Sequence, residues 1–133
     1  VFLDDSIVRG TQLKDNVVKL RECGVKEVHI RIACPPLIYP CCFLNFSTSR
    51  STFDLFARRV IRDLEGTSEL TDEILKPYSD PDSEKYKEMV RVMCQHLQLD
   101  SLQFQRLDDL VKAIGLPKEQ LCTHCWDNSS YME

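Results

Sequence analysis

Three apolar residues, Val1 to Leu3, run directly into the carboxylates Asp4 and Asp5, so the chain opens as the end of a buried strand, apolar on both faces. Beyond Ser6, Gly10 and Thr11 begin a helix. Leu13, Val17, Leu20 and Cys23 recur at helical spacing, Val18 widens the stripe, and Gly24 stands where a left-handed C-terminal cap belongs. Val28, Ile30 and Ile32 then alternate with His29 and Arg31, the period of a strand. A strand, a helix and a strand in this order pair in parallel by default, with a right-handed crossover. Cys34-Pro35-Pro36 stops the second strand, and Pro40 precedes Cys41 and Cys42 in an irregular loop.

The pattern turns mainly helical from there. Ser51 followed by Asp54 is expected to cap a helix reaching about Leu64, with Phe53, Phe56, Val60 and Leu64 inward and Gly66 as its end. Lys76 to Asp82 (KPYSDPD) reads as a proline-rich acidic linker. Ser83 is placed to cap the next helix, whose inward face holds Tyr86, Met89, Val90, Met93 and Leu97. A short strand around Leu102 and Phe104 and a helix from Leu107 to Ile114 follow, with Gly115 and Pro117 as terminators. Parallel sheets are buried on both faces and usually have more strands than this, so further strands are expected upstream of Val1.

The 133 residues are enough for one domain, and 43% hydrophobic content supplies a modest core. A net charge of −4, spread along the chain, argues against nucleic acid or an anionic membrane as a partner. No apolar run is long enough to span a bilayer and no signal peptide is visible, which points to a cytoplasmic protein. Seven cysteines, an odd number, together with the Cys122-Thr-His-Cys125 spacing, favour thiols or metal ligands over a disulfide framework.

The first turn carries the candidate chemistry. Ligands of open α/β sheets bind beyond the carboxyl ends of the strands, where N–H groups at the next helix N-terminus face an anion. Ser6 to Thr11 lies there, with peptide N–H groups, two hydroxyls and a flexible glycine able to surround a phosphate monoester. Asp4 and Asp5 would repel that phosphate, and their chemistry suits a neighbouring polyol or a hydrated magnesium ion. The plainer alternative is that Asp4, Asp5 or Ser6 only caps the helix. Cys122-x-x-Cys125, taken alone, fits zinc, an iron–sulfur centre, a redox pair or two ordinary thiols.

The string VFLDDSIVRGT closely resembles the phosphoribosyl pyrophosphate (PRPP) signature of type I phosphoribosyltransferases, and its SIVRGT half that of the amidophosphoribosyltransferases in particular. The likeness continues through RECGVKEVHIRIACPPLIYP, Arg21 to Pro40, and returns at DSLQFQRLDDLVKAI, Asp100 to Ile114. The resemblance implies an α/β fold: a partial type I phosphoribosyltransferase fold over residues 1–40, followed by a mainly helical C-terminal region over 41–133. Carried over by position, Asp4 and Asp5 would hold the ribose hydroxyls and magnesium. Ser6, Ile7, Val8, Arg9, Gly10 and Thr11 would form the 5′-phosphate loop, with Ile7 and Val8 contributing backbone only. One branch of the family carries a structural [4Fe–4S] cluster, and Cys41, Cys122 and Cys125 match three of its four ligands, the fourth lying outside this chain.

The family's activity makes 5-phosphoribosylamine from PRPP and glutamine, the first committed step of de novo purine synthesis. The resemblance therefore implies a glycosyltransferase fragment, inactive alone, whose parent would also carry a glutaminase domain and assemble as a homo-oligomer. Departures are local. Gln12 stands where a second threonine is common, and Cys42-Phe43-Leu44-Asn45-Phe46 replaces a run like Phe-Tyr-Gly-Ile-Asp. The stretch from about Glu65 to Lys85 looks longer than its counterpart. A non-catalytic PRPP-sensing module and a divergent amidotransferase-like protein are the alternatives.

Overall fold

A computed structural model describes residues 1–41, 43 and 51–129. Strand β1 (Phe2–Asp4), helix α1 (Thr11–Glu22) and strand β2 (His29–Ile32) form the expected unit. Strand β3 (Ser101–Phe104) extends the sheet in the order β1-β2-β3, with both pairings parallel. The register sets Leu3, Arg31 and Gln103 side by side, so period-2 alternation places Ile30, Ile32 and Leu102 on the opposite face, where all three are buried. Strands from either side of residue 40 thus share one sheet.

Between β2 and β3 the chain builds helices α2 (Phe56–Glu65), α3 (Asp72–Leu75) and α4 (Glu84–His96), and after β3 it forms α5 (Leu107–Ile114) and α6 (His124–Asp127). Leu13 and Val17 of α1, Val60 and Ile61 of α2, and Met89 and Met93 of α4 close over the apolar sheet face in one hydrophobic cluster. The end of α1 is a Schellman cap: the Gly24 N–H donates to Arg21 O (2.9 Å) and the Val25 N–H to Leu20 O (3.1 Å), with Gly24 at φ +85°. Among the described residues no helix is long and apolar enough to cross a membrane.

Three expectations need correcting. The first strand is not buried on both faces: Val1 is 91% and Leu3 78% exposed, because β1 is the sheet's edge and Leu3 shares its face with His29, Arg31 and Gln103 rather than with the core. Ser51 caps a 3₁₀ turn, Thr52–Asp54, by accepting from the Phe53 N–H at 3.2 Å, and α2 starts only at Phe56. Within α2, Phe56, Ala57, Val60 and Ile61 are inward, and Leu64, on the same face but in the last turn, is 37% exposed. Lys76 to Asp82 is no linker, since Lys76–Ser79 winds as a 3₁₀ turn after α3 and buries Tyr78. Tyr78 is held by its hydroxyl, which donates to Glu65 Oε1 at 2.6 Å.

Candidate functional site: the turn after β1

Asp4 ends β1, and its carbonyl accepts from the Ala33 N–H at 2.9 Å, which fixes the strand end against β2. The chain then turns outward. The Asp5 N–H donates to Asp4 Oδ1 (2.9 Å) and the Ser6 N–H to Asp5 Oδ1 (2.7 Å), so each acid uses one oxygen on local backbone. Ile7 drops its side chain into the core, 5% exposed, and pins the middle of the turn. Gly10 takes φ +76° and starts α1, its carbonyl accepting from the Lys14 N–H at 3.0 Å.

An open cleft of about 700 Å³ sits over this turn. Asp4, Asp5, Ser6, Ile7, Val8, Arg9, Gly10 and Thr11 all line it, as do Gln12 and Asn16 of α1. Among the described residues, no hydrogen bond runs from the N–H groups of Val8, Arg9 or Gly10 to another residue. These donors, with those of the first turn of α1, give one wall of the cleft a positive electrostatic character, whereas Asp4 and Asp5 make the wall at the strand end negative.

The back of the turn is built from residues the sequence did not mark as part of the site. The Phe56 N–H donates to Val8 O at 2.7 Å, and Arg59 Nη2 donates to Arg9 O at 2.5 Å. The Phe56 ring lies against Gly10, where a Cβ would stand 3.1 Å from the ring. Phe56 was legible only as part of an apolar stripe, and nothing in the pattern distinguished Arg59 from its neighbours Arg58 and Arg62. Cys34, just past β2, neighbours the two acids. Burial first, with Asp5 and Asp4 adding to it and a contact with the Trp126 indole opposing, pushes its thiol up to about 11.

The cysteine tail folds back on the proline loop. The Ile38 and Tyr39 N–H groups both donate to Cys125 O, at 2.9 and 3.0 Å, and Arg58 Nε donates to Ile38 O at 2.6 Å. Asp127 anchors the turn by accepting from Thr123 Oγ1 (2.8 Å), Lys118 Nζ (2.6 Å) and the Ser129 N–H (3.1 Å). Cys41, Cys122 and Cys125 come into one neighbourhood: burial first, then the Cys41 and Cys122 sulfurs, push the Cys125 thiol up to about 12. Cys42 lies outside the described residues, and the His124 ring packs tilted against Tyr39, at 53° with centroids 6.0 Å apart. Among the described residues, no group of three or more His, Cys, Asp or Glu side chains is arranged to hold a metal ion.

No family model matches the chain. Relatives do. An amidophosphoribosyltransferase of Mycobacterium bovis is 31% identical over 134 aligned positions, spanning all of this chain and 20% of the relative. One from Pyrococcus horikoshii is 61% identical over 41 residues, 31% of this chain and 9% of that protein. The solved structure of the glutamine PRPP amidotransferase from B. subtilis, complexed with ADP and GMP, superposes with a TM-score of 0.63 at 26% identity, over 96% of this chain and 22% of that one. Where the match runs nearly end to end, the chain spans about a fifth of its relatives' length. In sequence and in fold alike, the chain belongs with the amidophosphoribosyltransferases, matching a stretch about one fifth of their length.

Proposed function

We propose that the cleft after β1 receives the ribose 5-phosphate end of PRPP as part of an enzyme that makes 5-phosphoribosylamine. The observation that carries this reading is the juxtaposition, within one turn, of unengaged backbone N–H donors at a helix N-terminus and two carboxylates that each keep an oxygen to spare. Within the Ser6 to Thr11 loop, the N–H groups from Val8 to Thr11, with the Ser6 and Thr11 hydroxyls, would take the 5′-phosphate. Asp4 and Asp5 would accept from the vicinal ribose hydroxyls, whose geometry suits a carboxylate acceptor pair.

The reaction breaks the bond between C1 and pyrophosphate, which leaves with the electron pair, and forms a C1–N bond to ammonia derived from glutamine. Positive charge develops on the ribose ring as the leaving group departs, and Asp4 and Asp5 would stabilise it electrostatically. The phosphate loop holds the far end of the substrate still, which contributes through orientation. Ammonia is already a nucleophile, so this segment needs no general base. Magnesium fits the donor chemistry of the two acids, through its bound waters, and would supply charge neutralisation on the pyrophosphate.

The iron–sulfur reading has the neighbourhood of Cys41, Cys122 and Cys125 in its favour. The described residues do not close such a site by themselves. A fourth donor from elsewhere would be needed, and the cluster's role would be structural, tying the proline loop to the tail.

The direct test of the cleft is calorimetric titration of the protein with PRPP and magnesium. Asp4→Asn and Asp5→Asn should each weaken binding by about tenfold, the loss of one charge-assisted hydrogen bond. Unchanged affinity in both variants would remove the site assignment.

A further inference from the structure

The phosphate loop has a back as well as a front, and the back is held by two residues of α2. The Phe56 N–H takes the Val8 carbonyl at 2.7 Å, and Arg59 Nη2 takes the Arg9 carbonyl at 2.5 Å. No peptide bond in the described chain is cis, so each C=O points opposite to the N–H of the same peptide plane. Drawing the Val8 and Arg9 carbonyls toward α2 therefore turns the Arg9 and Gly10 N–H groups the other way, toward the cleft. Gly10 lies directly against the Phe56 ring, which stops that plane from rocking back.

Arg59 is itself held in place. Its Nη1 donates to Phe53 O and Asp54 O, both at 3.1 Å, and its guanidinium lies 5.4 Å over the Phe56 ring. The rigid fork of the guanidinium thus joins three carbonyls from two segments through two separate nitrogens, a spread the single nitrogen of an ammonium does not have. Arg9 reaches the same 3₁₀ turn from the loop side, its Nη2 4.0 Å from Asp54 Oδ2. A cation on the Arg9 carbonyl also polarises that peptide, making the Gly10 N–H a better donor to an anion.

We propose that Arg59 is a positioning residue for the phosphate loop: by holding the Arg9 carbonyl from behind, it presents the Gly10 N–H to the phosphate without touching the ligand. The inference rests on the reading of the cleft as a phosphate site, and the two are tested separately.

The probe is ribose 5-phosphate, titrated by calorimetry into the 133-residue chain and into its Arg59→Met and Arg59→Lys variants, with circular dichroism to establish that each is folded. Arg59→Gln replaces the methionine variant if that one does not fold. Removing the fork should weaken binding about tenfold or more, and lysine, a cation with its donors on a single nitrogen, should recover part of it. Guanidinium ion at tens of millimolar should restore the methionine variant, whereas sodium chloride at equal ionic strength should not. In the ligand-free protein, NMR order parameters at Arg9 and Gly10 should fall from a rigid value near about 0.85 toward about 0.6 in Arg59→Met.

Normal wild-type binding with unchanged affinity in Arg59→Met overturns the positioning role alone. So do order parameters that do not move. A wild-type chain that fails to bind ribose 5-phosphate overturns the reading of the cleft, and with it any role of Arg59 toward a ligand.

Discussion

Gly10→Ala tests the packing behind the turn, because two separable penalties meet at this residue. Its φ of +76° lies in the left-handed region, where an L side chain costs about 1–2 kcal/mol. The new methyl would also stand 3.1 Å from Cδ1 and 3.2 Å from Cγ of Phe56. Phe56 has little room to retreat, being 5% exposed in the core with its N–H committed to Val8 O. Forcing a methyl against such a ring costs about 1–3 kcal/mol, so the total should be roughly 2–5 kcal/mol. Gly66 supplies the control. It caps α2 at φ +67° with nothing within 4 Å of where its Cβ would be, so Gly66→Ala should show the backbone cost alone. Urea unfolding followed by circular dichroism and by the fluorescence of Trp126, the single tryptophan, measures both. Gly10→Ala made in a Phe56→Leu background should recover part of the difference as a coupling energy. Equal destabilisation at Gly10 and Gly66, within about 0.5 kcal/mol, would refute the close approach of ring and loop.

The thiols should separate by reactivity: iodoacetamide at pH 8, read by peptide mass spectrometry, should label exposed Cys23 and Cys122 well before Cys34 and Cys125. The thiolate is the reactive form, and thiols pushed up to about 11 and about 12 stay protonated until the pH climbs toward those values, so labelling of Cys34 in step with Cys23 would contradict its half-buried, acid-flanked setting. Asp127 sits below the usual carboxylate range. Burial raises it, but Lys118, Thr123 and Ser129 outweigh that. Its contribution is therefore present above about 3.8, the unfolded value, and is lost as pH falls through the lower folded value, so amide exchange at Ile38 and Tyr39 should quicken below that range. Asp127→Asn should quicken the same amides at neutral pH, and unchanged exchange there would separate the tail from the proline loop. On α2, Ile61→Ala should cost about 2–5 kcal/mol and Leu64→Ala under about 1, the reverse outcome contradicting the part-exposed place of Leu64 in the helix's last turn.

The strand, helix and strand at the start were legible because their signals are local. Alternation at Val28, Ile30 and Ile32, helical spacing at Leu13 and Val17, and Gly24 in a left-handed cap each bias only a few consecutive residues. The turn between them was legible for the same reason, since its donors and acids are contiguous from Asp4 to Thr11. Boundaries were harder. Ser51 is a good cap for whatever follows it, and the chain uses that cap on a 3₁₀ turn, so α2 begins a turn later, while Leu64, on the inward face, falls in the last turn and is left part-exposed. Lys76 to Asp82 looked like a linker because its two prolines were weighed without Tyr78, whose hydroxyl finds Glu65 only in the folded molecule.

By itself, then, the sequence determined the chemistry of the first turn and the elements on either side of it, because hydrogen-bond donors, carboxylates and a left-handed glycine act over a few neighbouring residues. Only the tertiary structure decided that β3 joins the sheet from nearly seventy positions away, that the tail closes on the proline loop, and that Phe56 and Arg59 stand behind the turn. Those contacts link residues about fifty or more positions apart in the last case, and they depend on how helices settle on an apolar sheet face. No local pattern encodes that settlement, since it is fixed by the packing of the whole core.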